Sequence, residues 1–317
     1  MQQFFSVADA AGPTAALIAE VLACRQNPKK DQLLGLGKTL GLLFLNPSLR
    51  TRASTELAAR NLGMDVHVLN GGADTWAMEF AQGAIMNNTR VEHIKDAAGV
   101  LGRYYDILGL RSFASLQNRE ADYGEPVLDA LKRYSGKQLV SLESATRHPL
   151  QSLADMATIQ SHATKPALKV VLAWAPHIKP LPQAVANSFA EWSLAAGHSL
   201  TIAHPPGMEL APQFTQGATL NHNLEEALQG ADFVYVKNWS AYEPYGHVPT
   251  NYQNWMLTEQ HLASAPAARI MHCLPVRRNV ELSDELLDGP RSLVLEQAEN
   301  RIYAAQAVLR RMLLHIV

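Results

Sequence analysis

The chain has 317 residues, 47% of them hydrophobic and 18% charged, and a formal net charge of -2. That length allows a large buried core and, at about 150 residues per domain, two domains. The charge balance offers no basic excess for nucleic acid or an anionic membrane surface, and no apolar run approaches the roughly 20 residues of a membrane span.

The opening Met1-Gln2-Gln3-Phe4-Phe5-Ser6 lacks a basic stretch followed by a long apolar one, so a cytoplasmic location is expected. Short, β-rich apolar runs then alternate with longer helical patterns, the signature of βαβ units and a parallel sheet. In the first half the predicted strands are 39–45, 65–69, 106–110 and 138–141, and the predicted helices 51–62, 92–104 and 126–134. One helix, 149–161, joins the halves. In the second half strands are expected at 169–174, 199–203, 232–236, 268–271 and 292–294, with helices at 183–195, 224–228 and 258–263. The last helix, from about residue 298, has no strand after it and is expected to pack back on the first domain. The expected fold class is therefore α/β, with two doubly wound parallel-sheet domains joined by helices: 1–148 together with about 298–317, and 149–297. Two irregular stretches, 71–90 and 238–255, contain or border Trp76, Trp239, Tyr242, Tyr245, Tyr252 and Trp255, which argues against disorder. Cys24 and Cys273 are the only cysteines, too few for a disulfide framework or a thiolate metal site, and both are expected to be reduced.

Ser48-Leu49-Arg50-Thr51-Arg52 places a serine hydroxyl and two guanidinium groups between a strand and a helix start. Unpaired N–H groups at a helix N-terminus favour an anion, and arginine matches phosphate oxygens with a planar fork of donors. A capped helix start with two solvated arginines would read the same way. Arg111 follows the strand 106–110, and His148-Pro149-Leu150-Gln151 opens the joining helix, so all three features fall at carboxyl ends of strands of one sheet, where ligands of open α/β sheets bind. In the second half His177 closes one strand, Lys237-Asn238-Trp239 another, and His272-Cys273-Leu274-Pro275-Val276-Arg277-Arg278 a third. Cys273 as a nucleophile would need an activating base, and nothing local supplies one.

Ser48-Leu49-Arg50-Thr51-Arg52, His148-Pro149-Leu150-Gln151 and His272-Cys273-Leu274-Pro275 together resemble motifs of the transcarbamylase family of aspartate and ornithine enzymes, in the family's order and spacing and over nearly the whole chain. The resemblance implies a homotrimer with shared active sites at subunit interfaces and no metal or organic cofactor. Carried over, Ser48, Leu49, Arg50 and Thr51 would bind the phosphate of carbamoyl phosphate, with Arg301 completing that site. Thr51, Arg111 and His148 would contact the carbamoyl oxygen, while Gln151 and the carbonyls of Cys273 and Leu274 would receive the NH2. Negative charge builds on that oxygen as an amine attacks, and donors fixed there in advance lower the barrier.

For the acceptor, the ordinary ornithine enzymes carry an acidic residue and a Ser-Met-Gly turn where this chain reads Lys237-Asn238-Trp239-Ser240-Ala241-Tyr242. A lysine repels a free α-ammonium but suits an acylated, neutral nitrogen beside an unpaired α-carboxylate. The pattern resembles the branch that carbamoylates N-acylated ornithine in arginine biosynthesis. There Glu143 would hold the δ-ammonium, and His177, Lys237 and Arg277 the polar groups of the acyl-amino acid. Trp76, grouped with the carbamoyl phosphate residues, would reach into a neighbouring subunit's site. The acetyl type of that branch has an acidic residue at the position of Val91 and a lysine at that of Glu281. An acid would repel a succinyl carboxylate and Val91 would not, so N-succinyl-L-ornithine is the expected acceptor and N-acetyl-L-ornithine the alternative. A catalytically silent acyl-amino-acid-binding relative should lack one of Arg50, Thr51, Arg111, His148 and Arg301, and all are present. A nucleotide-binding dehydrogenase would need a Gly-x-Gly-x-x-Gly turn after a strand, and none occurs.

Overall fold

The computed structural model describes residues 1–71 and 76–316. Residues 72–75 of the predicted irregular stretch, and residue 317 at the end of the predicted last helix, lie outside the described residues. In chain order the elements are β1 (Gln3–Phe4), α1 (Thr14–Gln26), β2 (Thr39–Phe44), α2 (Arg50–Asn61), β3 (Asp65–Asn70), β4 (Met78–Glu79), β5 (Glu92–His93), α3 (Ile94–Tyr104), β6 (Ile107–Arg111), α4 (Arg119–Tyr123), α5 (Pro126–Ser135), β7 (Gln138–Glu143) and α6 (Pro149–Ser161). There follow β8 (Lys169–Trp174), α7 (Ala184–Ala195), β9 (Ser199–Ala203), α8 (Pro212–Thr215), β10 (Thr219–Asn221), α9 (Leu224–Leu228), β11 (Phe233–Lys237), β12 (Arg269–Met271), α10 (Asp284–Asp288) and α11 (Val294–Ile316).

The chain divides into two compact units. Unit 1 holds Met1–Ser115, Glu120–Leu150 and Arg301–Val317, and unit 2 holds Leu116–Arg119 and Gln151–Asn300. Unit 1 is built on a parallel sheet of order β1-β7-β6-β2-β3. Its central strands are buried at almost every position because both faces are covered. Leu43, Leu108, Leu110 and Leu139 of the sheet pack with Ala98 of α3, the neighbouring Tyr105, and Leu128 and Leu131 of α5, and burying each leucine contributes about 1.5–3 kcal/mol. The α3–α5 contact depends on Gly102: a Cβ there would lie 2.0 Å from the Ser135 carbonyl oxygen.

Unit 2 repeats the plan with the order β10-β9-β8-β11-β12, all parallel. The aromatic-rich stretch after β11 is anchored to Trp174 of β8 and to the Met208 carbonyl. Trp174 donates its indole N–H to the Trp239 carbonyl at 2.9 Å, Trp239 donates to the Met208 carbonyl at 2.8 Å, and Trp255 meets Trp174 edge to face at 6.4 Å.

Four expectations need correction. Residues 292–294 are not a strand: Ser292 makes one isolated bridge to Ile270, and α11 already begins at Val294, earlier than predicted, because Leu293 and Val294 supply buried apolar positions at its start. Glu92 and His93 do not open α3 but pair with β4 inside the stretch expected to be irregular. Segment 258–263 is only a short 3-10 helix, Glu259–Leu262. Arg111 is the last residue of β6 rather than the first after it. The short β1 and β10, with α1, α4, α8 and α10, were not anticipated; edge strands of two or three residues carry too little periodicity to register.

Candidate active site

In unit 1 the neighbouring order β7-β6-β2 sets three carboxyl ends side by side, with Phe44 opposite Arg111 and Arg111 opposite Glu143. Beyond Phe44 the chain turns into α2, where the Thr51 N–H donates to Ser48 Oγ at 3.2 Å. Leu49 is exposed, Ser48 and Arg50 are half-buried, and Thr51 is buried. The N-terminus of this helix, with its aligned peptide dipoles, is a site for negative charge.

Thr51 Oγ1 is where the groups converge. It accepts from Arg301 Nη2 at 2.6 Å and from Arg111 Nη1 at 3.3 Å, and the same Arg111 nitrogen donates to Glu143 Oε2 at 2.5 Å. His148 Nε2 stands 3.4 Å from both Glu143 Oε2 and Arg301 Nη2. All of these residues belong to unit 1 and all are buried. Sequence order separates Thr51 from Arg301 by 250 positions, so the last helix brings the second guanidinium to the loop. Two guanidinium groups, a hydroxyl and a helix start outnumber one carboxylate, and the arrangement suits a small oxyanion.

Burial depresses the His148 pKa well below its ordinary value, and the Arg301 and Arg111 charges add to this. The imidazole is therefore neutral near pH 7 and retains one N–H to donate. Burial also lowers the pKa of His177, His198 and His204. The unfolded chain takes up these protons near about pH 6.5, so below that pH it binds more protons than the folded chain. Stability should consequently be full above about pH 6.5 and fall as the pH drops toward the depressed values. Urea titrations from about pH 7.5 to pH 5 should show this slope, and His148→Gln should make it shallower. An unchanged slope would remove His148 as a contributor.

Unit 2 gathers a different set. His177 Nε2 accepts from Arg277 Nε at 3.1 Å, while its Nδ1 lies 2.8 Å from the Lys179 carbonyl oxygen and so carries the proton. Its pKa is lowered by burial first, with Lys237 and Arg277 adding to the effect against Lys179 and Glu281. Lys237 ends β11 and is buried. Lys237 and Arg277 thus both bring positive charge to His177, which suits an anionic group.

The loop that displays Cys273, Leu274 and Arg277 is fixed by two buried residues. His272 Nδ1 accepts from the Leu274 N–H at 2.9 Å, so its Nε2–H donates to Glu281 Oε2 at 2.9 Å, and Glu281 Oε1 accepts the Arg277 N–H at 3.1 Å. Burial pushes the Glu281 pKa up, but His272, Lys237 and the Arg277 N–H outweigh it and hold the carboxyl below its usual value. Leu274 has φ +54°, a left-handed conformation that a leucine adopts only under constraint. Gln151 joins the same frame. Its amide donates to Asp155 at 2.8 Å, Asp155 accepts from Gln297 at 2.7 Å, and Gln297 accepts the His272 N–H at 3.0 Å.

Of the expected site residues, unit 1 brings Thr51, Arg111, His148 and Arg301 into direct contact. It places Glu143 with them rather than with His177, Lys237 and Arg277, which cluster in unit 2. Trp76 and Val91 are 56% and 64% exposed on unit 1, and the Trp76 indole donates to Glu92 Oε2 at 2.8 Å. The positioning roles of His272, Glu281, Asp155 and Gln297 were not anticipated. A histidine and a glutamate nine residues apart carry no periodic signal.

The carbamoyl-P binding domain of aspartate/ornithine carbamoyltransferases matches residues 3–161, and the Asp/Orn binding domain of the same family matches residues 182–312. The chain is 44% identical over 315 residues to N-succinylornithine carbamoyltransferase of Bacteroides thetaiotaomicron, with 99% of each covered. It is 35% identical to N-acetylornithine carbamoyltransferase of Xanthomonas campestris pv. campestris, covering 93% of this chain and 92% of that protein. A glutamate-to-valine mutant of N-acetyl-L-ornithine transcarbamylase, solved in complex with carbamyl phosphate and N-succinyl-L-norvaline, superposes with a TM-score of 0.91 at 32% identity, covering 98% and 100% of the two chains.

Proposed function

The chain belongs to the aspartate/ornithine carbamoyltransferase family, and we propose that it transfers the carbamoyl group of carbamoyl phosphate to the δ-amine of N-succinyl-L-ornithine, giving N-succinyl-L-citrulline and phosphate in arginine biosynthesis. The observation that carries this reading is the gathering of Lys237, Arg277 and neutral His177 in unit 2. Two cations there suit an acceptor whose α-nitrogen is acylated and uncharged.

In the proposed reaction, the N-terminus of α2 with Ser48, Leu49, Arg50, Thr51 and Arg301 holds the phosphate. The δ-amine, held by Glu143, attacks the carbamoyl carbon. Charge moves onto the carbamoyl oxygen, where Arg111, Thr51 and the single N–H of neutral His148 donate to it. Gln151 and the Cys273 and Leu274 carbonyls accept from the carbamoyl NH2. As the C–O bond to phosphate breaks, the amine proton passes to the departing phosphate, so no protein base is required. Binding both substrates replaces a bimolecular encounter and supplies much of the remaining acceleration. A homotrimer in the cytoplasm is part of the proposal, with exposed Trp76 offered to a neighbouring subunit's site. No helix among the described residues is long and apolar enough to cross a membrane.

Val91 and the stronger identity to the succinyl enzyme favour N-succinyl-L-ornithine over N-acetyl-L-ornithine. Ureido-product formation should be measured with carbamoyl phosphate and, in turn, N-succinyl-L-ornithine, N-acetyl-L-ornithine and L-ornithine. Highest turnover is expected with the succinyl compound and none with free ornithine. Turnover with free ornithine alone would overturn the reading, and no turnover with any acceptor would point to a silent binding protein.

A further inference from the structure

A second cluster of chemistry-bearing side chains lies in unit 2, made of residues that play no part in the proposed transfer. The adjacent strands β9 and β10 are in register at their last residues, Ala203 opposite Asn221. His204 and His222 therefore leave the sheet side by side, their rings 4.9 Å apart and edge to face. One nitrogen of each ring is committed to the backbone. His204 Nδ1 lies 2.9 Å from the Pro205 carbonyl oxygen, and His222 Nδ1 lies 3.0 Å from the carbonyl oxygen of His204 itself. A carbonyl oxygen only accepts, so both Nδ1 atoms carry the proton and both Nε2 atoms carry the lone pair. Imidazoles that bind metals are held in this way, with the non-ligating N–H anchored to a carbonyl or carboxylate.

Glu209 supplies a carboxylate, whose Oε1 accepts the Gly207 N–H at 3.2 Å. One ligand-type atom from each of His204, His222 and Glu209 lies within 4.8 Å of the others. His204 is fully buried, and its Nε2 has no hydrogen-bond partner, a condition that packing alone seldom leaves in place. A plain edge-to-face histidine pair accounts for the ring geometry but not for the adjoining carboxylate or the buried lone pair.

We propose that His204, His222 and Glu209 form a binding site for a divalent transition-metal ion, zinc in particular, with solvent completing the coordination. Two imidazole nitrogens and one carboxylate suit zinc, whereas magnesium and calcium take oxygen ligands. Zinc–ligand bonds of about 2.0–2.1 Å place neighbouring ligands of a tetrahedron about 3.3 Å apart. The exposed side chains of His222 and Glu209 would close from 4.8 Å or less to about 3.3 Å, by up to about 1.5 Å, onto the buried His204. The ion would tie the segment after β9 to the exit of edge strand β10, as a clip that stabilises unit 2 without touching substrate.

The test uses the full-length protein after chelator treatment, titrated calorimetrically with zinc and, separately, magnesium, with melting followed in parallel. About one zinc ion per chain should bind, raising Tm in a concentration-dependent way, and magnesium should do nothing. His222→Ala and Glu209→Gln alter exposed residues outside the proposed catalytic groups, so both should fold and turn over as the parent does. Each should weaken zinc binding at least about tenfold, the scale already reached by removing a hydrogen bond that merely orients a ligand. Zinc binding that is unchanged in the double variant would place the ion elsewhere. No saturable zinc binding in the parent would leave a packing pair only. Either result overturns the proposal.

Discussion

Arg111→Met is expected to lower kcat about 10²–10³-fold, the loss of roughly 3–4 kcal/mol that follows removal of one preorganised donor from a developing oxyanion. It should also destabilise the fold, for a separable reason. The Arg111 guanidinium donates to both Thr51 Oγ1 and Glu143 Oε2 in a buried setting. Removing it leaves the Glu143 carboxylate buried with only His148 Nε2 at 3.4 Å, and breaking a buried ion pair from one side costs about 3–5 kcal/mol. The double variant Arg111→Met/Glu143→Gln should recover much of that stability, because no unpaired carboxylate remains, while turnover stays low. Denaturant melts and steady-state rates of the parent, both single variants and the double variant form a double-mutant cycle that separates the two effects. Near-parental kcat in Arg111→Met would end the oxyanion assignment. A double variant no more stable than Arg111→Met would show that the pair carries no net coupling.

The second large effect concerns the acceptor. Val91→Glu should reduce kcat/KM for N-succinyl-L-ornithine by on the order of 100-fold, since setting like charges against each other in a binding site costs several kcal/mol. N-acetyl-L-ornithine, with no second carboxylate, should lose far less, so the preference narrows or inverts. The change is benign for folding: Val91 is 64% exposed, and its backbone N–H donates to the Ala77 carbonyl at 3.0 Å. Substitutions at such positions usually stay within about 0.5 kcal/mol. Val91→Gln keeps the size of glutamate without its charge and should leave the succinyl preference largely intact. Equal losses with both acceptors, or no loss with either, would remove Val91 as the residue that distinguishes the acyl groups.

Most strands of both sheets were legible because each is a short, mainly apolar run bounded by turn residues. α2 and the residues before it were legible because hydroxyl and guanidinium groups stand between a strand and a helical period. The end of the second sheet was misread because Leu293 and Val294 are an apolar pair too short for period 2 to be told from period 3.6, and the helix that follows begins at Val294. Gln3–Phe4 and Thr219–Asn221 are strands only through their neighbours, which supply the hydrogen bonds that two or three residues cannot specify alone.

By itself the amino-acid order determined the α/β class, the run of strands and helices, and the residue types gathered at strand ends, because periodicity and motif spacing are local properties of a chain. Only the tertiary structure decided which of those residues meet. The order β7-β6-β2 puts Arg111 beside Glu143, and α11 returns Arg301 to Thr51. The β9–β10 register likewise turns two distant histidines into neighbours. Such pairings depend on how strands are ordered and how helices fold back, and burial then sets their charge: His148 is neutral because it is enclosed beside two guanidinium groups, a fact with no trace in the letters around it.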